Sequence, residues 1–266
     1  MIKAFRQHIK NQRTESFIVS FPKTGRTWLR VMIGRILVED YGVAEDKMLS
    51  TYKATRGAGV GPCIFSHGGP YHLLDDGPFD LMDIPPRVFE GKRILFLIRD
   101  IRDTLVSFYF QQHKREKVYE GDMSSFLRDK RYGAQKIVKF YTMWFQKRAS
   151  LAQFEMIRYE SLRSDPVQGL TGVVQFLQFQ RSSVESVQRA VDFASFDNMR
   201  QMEQKGQFTK KMMRPGDPAD KESFKVRKGK VGGYTEYLSA EDLDYIQQVI
   251  AEQGDPACDW YLYQSA

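Results

Sequence analysis

The stretch FIVSFPKTGRTWLRVMIGRIL, residues 17–37, decides how this chain folds. Residues 16–21 (SFIVSF) are apolar almost throughout, the pattern of a strand buried on both faces. Leu29, Met32, Ile33, Ile36 and Leu37 fall at i, i+3, i+4, i+7 and i+8, which predicts one apolar face of a helix. Between them stand Lys23, Thr24, Gly25, Arg26 and Thr27. A turn needs the glycine but neither two cations nor two hydroxyls. A helix N-terminus carries about half a positive charge and free N–H groups, so it attracts anions. Gly25 lets a ligand approach the backbone, Lys23 adds a point charge, and Thr24 and Thr27 add donors. The segment therefore predicts an anion-binding strand–turn–helix. It is not a nucleotide-triphosphate P-loop of the form G-x-x-x-x-G-K-S/T: Lys23 precedes the glycine, and no second glycine lies five residues before Gly25.

Working outward, residues 63–67 (CIFSH), 93–99 (RILFLIR) and 154–159 (FEMIRY) predict three more strands. Helical spacing recurs at Ile137, Phe140, Tyr141, Trp144 and Phe145, at Leu170, Val173, Val174 and Leu177, and at Leu243, Ile246, Val249 and Ile250. Ser239 with Asp242 three residues on resembles a capping box opening the last helix. Strands alternating with helices predict an α/β fold, a single domain over residues 1–266 with a central parallel sheet flanked by helices. Ligands of such sheets bind beyond the carboxyl ends of the strands, where the Lys23 turn falls. Residues 1–14 read as a basic arm, and residues 203–222, rich in Gly, Pro and charge, as a mobile loop or lid.

The chain has 266 residues, 42% of them hydrophobic and 13% aromatic, enough for a substantial core. It contains no run of about 18 apolar residues for a membrane span and no apolar signal core behind its first residues. Cys63 and Cys258 are too few for a disulfide framework, so the expectation is a reducing, cytoplasmic setting. A net charge of +7 favours an anionic partner. The cations are dispersed rather than set in a dense stripe with aromatics, which argues against nucleic acid.

The order Pro22-Lys23-Thr24-Gly25-Arg26-Thr27-Trp28 resembles the 5′-phosphosulfate loop of cytosolic-type sulfotransferases that use 3′-phosphoadenylyl sulfate (PAPS), Y-P-K-S/T-G-x-T/S-W. Phe21 takes the tyrosine place and Arg26 one where threonine is common. A second match is IRDIRDTLVSFYF, residues 98–110, where Arg99 and Ser107 keep the spacing of the pair that grips the donor's 3′-phosphate. Ile101 replaces that motif's usual proline, while Asp103 keeps its place. A third is VRKGKVGGYTEYL, residues 226–238, similar to R-K-G-x-x-G-x-W with Tyr234 for tryptophan; Arg227, Lys228 and Gly229 would close over the 3′-phosphate. IRYESL (157–162) and ASFDNM (194–199) resemble the family's adenine-pocket segments, implying Tyr159 and Phe196 beside the base with Trp28 as another wall. Flat aromatic faces suit an adenine ring.

The resemblance implies sulfuryl transfer from PAPS, with adenosine 3′,5′-bisphosphate (PAP) as product and no metal. Lys23 would stabilise charge on the departing oxygen, and Arg26 would add a second cation at the sulfuryl group. His67, directly after the second predicted strand, matches the family's general base, although Phe65 stands where a lysine is usual. His72 is the alternative, whereas His8 and His113 read as solvent-facing. Residues 68–90 and 203–222 would shape an acceptor site: Tyr71 and Phe79 suit a ring-bearing acceptor, Lys210, Lys211 and Arg214 an anionic glycan. The acceptor is thus a small molecule or glycan with a hydroxyl or amine. Asp75, Asp76, Asp80 and Asp83 read as an acidic loop surface rather than a metal site. The family's C-terminal dimer motif is not evident in residues 232–246, which leaves the oligomeric state open. Two other readings compete. RILFLIRD (93–100) also resembles a Walker-B strand ending at Asp100, which suggests a nucleotide-dependent kinase, and the overall charge suggests a basic nucleic-acid-binding module.

Overall fold

The computed structural model describes residues 10–67, 88–206, 215–258 and 260–263. Strands β1 (Ser16–Ser20), β2 (Cys63–Ser66), β3 (Arg93–Ile98) and β4 (Gln153–Arg158) form one sheet in the order β2-β1-β3-β4. Every pairing is parallel, with Ile18 opposite both Phe65 and Leu95, and Leu95 opposite Glu155. The register aligns the carboxyl ends of all four strands along one edge, and the segments that leave that edge carry the Lys23, His67, Arg99 and Tyr159 motifs.

Alternation along the strands builds two cores, one on each face of the sheet. Phe17, Val19, Ile94, Phe96 and Ile98 point to one side. There they pack against helices α3 (Ile101–Phe110), α4 (Met123–Arg128), α5 (Ala134–Lys147) and α10 (Ala240–Gln253). Ile18, Cys63, Phe65, Leu95 and Leu97 point to the other. They meet α1 (Arg26–Tyr41), α7 (Pro166–Phe176), α8 (Val184–Phe193) and α9 (Phe196–Gln204). Shorter helices α2 (Thr51–Gly57) and α6 (Tyr159–Ser164) complete the order between α1 and β2 and between β4 and α7. The capping box at Ser239 and Asp242 is formed reciprocally, as the sequence predicts.

Cys63 and Cys258 are free and buried, and burial pushes the Cys63 thiol up to about 12, which leaves it inert. His113 corrects an expectation. It is not solvent-facing: it is half-buried, stacked on Tyr109 with ring centroids 5.0 Å apart, and its Nδ1 lies 3.0 Å from the Tyr119 carbonyl oxygen. Among the described residues no helix is long and apolar enough to cross a membrane. His8, His72, Tyr71, Phe79, the four aspartates of the acidic loop, Lys210, Lys211 and Arg214 lie outside the described residues, as do most of the N-terminal arm and residues 207–214 of the expected lid. The described end of that lid is ordered by fully buried Ser223, whose hydroxyl donates to the Asp217 carbonyl and accepts from its N–H.

Phe96, fully buried on the central strand, lies within about 6 Å, centroid to centroid, of the rings of Phe140, Tyr141, Trp144 and Phe154. Phe96→Ala is expected to lower the unfolding free energy by about 3–5 kcal/mol, measured by denaturant titration. A loss below about 1 kcal/mol would contradict this account of the core.

Candidate active site

The turn between β1 and α1 is shaped by its backbone. Lys23 has φ 72° and Gly25 φ 92°, both left-handed. For a lysine that conformation costs on the order of 1 kcal/mol and persists only where surroundings impose it. Gly25 is required twice over, since a Cβ there would sit 2.4 Å from the Tyr159 ring. Gly25 caps α1 without a side-chain bond, whereas Asp165, Ser183 and Ser239 cap α7, α8 and α10. The first turn of α1 thus has no side-chain cap, in a 16-residue helix whose dipole favours an anion at that end. Thr24 is fully buried and donates its hydroxyl to the Phe21 carbonyl, so it ties the turn together rather than facing a ligand. Half-buried Thr27 makes no side-chain hydrogen bond to a described residue.

Arg99, one residue past β3, is the hub. Its Nη1 donates to the Lys23 carbonyl at 3.2 Å and its Nη2 to the Lys230 carbonyl at 3.1 Å. Its guanidinium lies 4.5 Å from the Tyr159 ring centroid. Tyr141, from α5, holds the Arg99 backbone: its buried hydroxyl accepts from the Arg99 N–H and donates to the Arg99 carbonyl. Asp103 then brings in the third motif, accepting from the Gly232 and Tyr234 N–H groups at 2.9 Å each. Ser107, one helical turn beyond Asp103 on the same face of α3, has a hydroxyl with no hydrogen-bond partner among the described residues.

The adenine-pocket candidates also converge. Trp28 donates from Nε1 to the Ala194 carbonyl, two residues before Phe196, and meets Tyr159 edge-on at 6.0 Å. Gly229, with φ 60°, lies so close to Phe196 that a Cβ would come within 2.9 Å of the ring. Tyr159 is only 6% exposed, wedged against Gly25, Arg99 and Trp28, and so acts as a wall behind the turn. Arg227 donates to Glu222 and to the Tyr237 hydroxyl, and Lys228 to Glu236. Arg227 and Lys228 are therefore paired with carboxylates in this structure, as is Lys230, which shares Glu236.

His67 follows β2, half-buried, with Nδ1 3.0 Å from the Ser20 carbonyl oxygen. A carbonyl can only accept, so Nδ1 carries the proton and Nε2 has the free lone pair. Burial and the cations Arg26, Lys225 and Arg30 push the His67 pKa down to about 3. Burial together with Lys225, Arg115 and Arg99 likewise holds Lys23 well below the ordinary lysine value. Lys225 was not among the residues singled out in the sequence. Its proximity to Lys23 and His67 comes from the fold, and the one local signal was its place two residues before Arg227. Asp100 does not offer a metal ligand of the Walker-B kind. Its carboxylate is buried, pairs with Arg102 and accepts from the Arg102 and Tyr263 N–H groups. No group of metal-ligating side chains occurs among the described residues.

Two measurements probe this geometry. Gly25→Ala is expected to lower the unfolding free energy by more than about 1 kcal/mol, because the left-handed conformation and the Tyr159 ring both oppose a Cβ. An unchanged denaturation midpoint would contradict it. In a histidine NMR titration, His67 is expected to remain neutral as pH falls through 6.5 and to gain its proton only near 3. Because the unfolded chain protonates its histidine first, this residue's contribution to stability declines as pH falls across that window. Ordinary titration of His67 near 6.5 would refute the burial and charge environment described.

The sequence profile of the family described as "Sulfotransferase domain" matches residues 13–255. Cytosolic sulfotransferase 17 of Arabidopsis thaliana is 25% identical over 273 aligned positions, covering 92% of this chain and 75% of that protein. Among solved structures, mouse sulfotransferase SULT7A1 complexed with PAP superposes with a TM-score of 0.60 at 18% identity, covering 91% of this chain and 84% of the other. Retinol dehydratase in complex with androsterone and the inactive cofactor PAP gives 0.57 at 14% identity, covering 90% and 80%. With the family profile spanning nearly the whole domain and the α/β fold shared, this chain belongs to the sulfotransferase family.

Proposed function

We propose that this enzyme transfers a sulfuryl group from PAPS to a hydroxyl or amine of a small-molecule or glycan acceptor, with His67 as general base. The observation that carries the reading is the Arg99 bridge. It joins the uncapped N-terminus of α1 to the 227–230 loop, so that two anion-attracting places share one edge of the sheet. PAPS carries two such anionic groups, and the relatives solved with PAP support the assignment.

In this reading Lys23, Gly25, Arg26, Thr27 and the first N–H groups of α1 receive the 5′-phosphosulfate, with Thr24 bracing the turn from within. Arg99, Ser107, Arg227, Lys228 and Gly229 receive the 3′-phosphate, a role for which Arg227 and Lys228 exchange or share their carboxylate partners. Trp28 and Phe196 flank the adenine, with Tyr159 behind them. When bound, PAPS supplies an activated sulfur with PAP as its leaving group. This chain's part is to position it and stabilise charge, as in phosphoryl transfer. His67 enters neutral, its Nε2 lone pair available to an acceptor proton, because burial and neighbouring cations keep it unprotonated. Negative charge arriving on Lys23 and Arg26 offsets those cations and raises its basicity in the complex.

Lys23→Ala is expected to lower turnover by about 10²–10³-fold without unfolding the chain, measured with labelled donor and a panel of phenols, alcohols, amines and oligosaccharides. Arg99→Ala should weaken PAP binding. His67→Ala should lower the rate by roughly 10²-fold or more with PAP affinity intact. Full activity of the Lys23 variant would contradict the proposal, and so would tight binding of magnesium–ATP in place of metal-free PAP.

A further inference from the structure

Lys225 stands on the segment after α9, and its backbone is clamped on both sides. Its N–H donates to Glu203 Oε1 at 2.6 Å, and the next N–H, of Val226, donates to Oε2 at 2.9 Å. Glu203 is itself fully buried, and Arg115 pairs with it at 3.4 Å. Arg200 donates from Nη1 to the carbonyls of both Val226 and Arg227 and lies over the ring of buried Phe224 at 4.1 Å. So fixed, the half-buried Lys225 side chain sits within electrostatic reach of Lys23, Arg26, Arg30, Arg115 and His67. Among the described residues neither Lys225 nor Lys23 has a hydrogen bond or ion pair at its ammonium. Glu203, a carboxylate that acts on Lys23, is already bonded to two backbone N–H groups and to Arg115.

Two lysines held near one another, with no carboxylate bonded to either ammonium among the described residues and Glu203 and Glu116 acting only from a distance, repel, and an anion between them would relieve that repulsion. The four cations Arg99, Arg115, Arg227 and Lys228 each have a carboxylate partner: Asp103, Glu203, Glu222 and Glu236. By contrast the Lys23 and Lys225 ammonium groups, which lie within electrostatic reach of each other and, for Lys225, of His67, have no such partner among the described residues.

We infer that Lys225 is a further catalytic cation beside Lys23 and Arg26, which meets the sulfuryl oxygens of the donor's phosphosulfate while Lys23 meets the departing bridge oxygen. The inference rests on the PAPS reading above. In the transfer the acceptor oxygen or nitrogen forms a bond to sulfur and gives its proton to His67 Nε2. The sulfur–oxygen bond to the donor phosphate breaks, and its electron pair stays on that phosphate oxygen as PAP leaves. Negative charge is then spread over the sulfuryl oxygens and the bridge oxygen at once, which present more acceptor lone pairs than the three N–H donors of one ammonium can satisfy. Burial and the cations Arg115, Arg26 and Arg30 hold the Lys225 pKa down to about 7, with Glu116 opposing them, so that an incoming anion is what fixes the proton there.

The test compares the parent chain with Lys225→Met and Lys225→Arg by turnover of labelled PAPS and by calorimetric affinity for PAP, which lacks the sulfuryl group. Turnover is expected to fall about 10²-fold or more in the Met variant and to recover at least about tenfold in the Arg variant. PAP affinity should stay within about threefold of the parent in both, showing the fold and the 3′-phosphate grip intact. A Met variant whose turnover is within threefold of the parent overturns the inference and leaves the PAPS reading standing. So does a loss of PAP affinity that matches the loss of turnover, since that assigns Lys225 to loop structure. A parent that binds no PAP overturns the PAPS reading and this inference with it.

Discussion

Arg99 is the constraint on which the rest of the site depends. A guanidinium has five donors in a rigid plane, and here one fork reaches two carbonyls that belong to segments 207 residues apart, Lys23 and Lys230. Its own backbone is locked by Tyr141, and the helix that follows sends Asp103 to the same C-terminal loop. The β1 turn, the end of β3 and the 227–234 loop are thus one mechanical unit. Asp100, the residue after Arg99, is fixed as well: its N–H donates to buried Glu160 at the start of α6. The Arg99 guanidinium and the Asp103 carboxylate therefore hold the site through backbone atoms, and the Lys23 and Lys225 ammonium groups take no part in that bracing among the described residues.

That arrangement carries an electrostatic cost. Lys23, Arg26, Arg30, Arg115, Lys225 and His67 act on one another, and burial depresses the pKa of Lys23, Lys225 and His67. Arg30, stacked 4.4 Å from the Phe65 ring centroid, is itself pushed down to about 10. The two apolar cores on either face of the sheet supply the stability against which this repulsion stands. The backbone strain at Lys23 is of the same kind: a local cost in the turn, held by Gly25, Tyr159 and Arg99.

The four strands are legible in the sequence to within about one residue at each end: β1, β2 and β3 because buried parallel strands are short apolar runs with clear limits, and the edge strand β4, mostly exposed or half-buried, because Phe154, Met156 and Ile157 still stand out from their polar flanks. Longer helices such as α1, α5 and α10 are equally plain from their apolar face. Helices α2 and α4 escape notice because seven or six residues hold too few periodic positions, and α8, with Val187 and Ala190 buried, shows too narrow a stripe. Within the site, the contiguous motifs around Lys23, Arg99 and Arg227 are readable because local chemistry and spacing coincide. The inward turn of Thr24, the half-buried stacking of His113 and the convergence of Lys225 on Lys23 are not. Each is decided by which carbonyl, ring or cation the fold brings alongside, and in the case of Lys225 that neighbour is some two hundred residues away in sequence.

The central claim is that a single adenosine derivative spans both anion-attracting places at once. Calorimetric titration of PAP, adenosine 5′-phosphate and adenosine 3′-phosphate without metal tests it most directly. Each phosphate held by charge-assisted hydrogen bonds should contribute about 1.5–3 kcal/mol, so PAP is predicted to bind at least about tenfold more tightly than either monophosphate. Equal affinity for PAP and one monophosphate would mean that only one of the two places takes a phosphate, and would contradict the account.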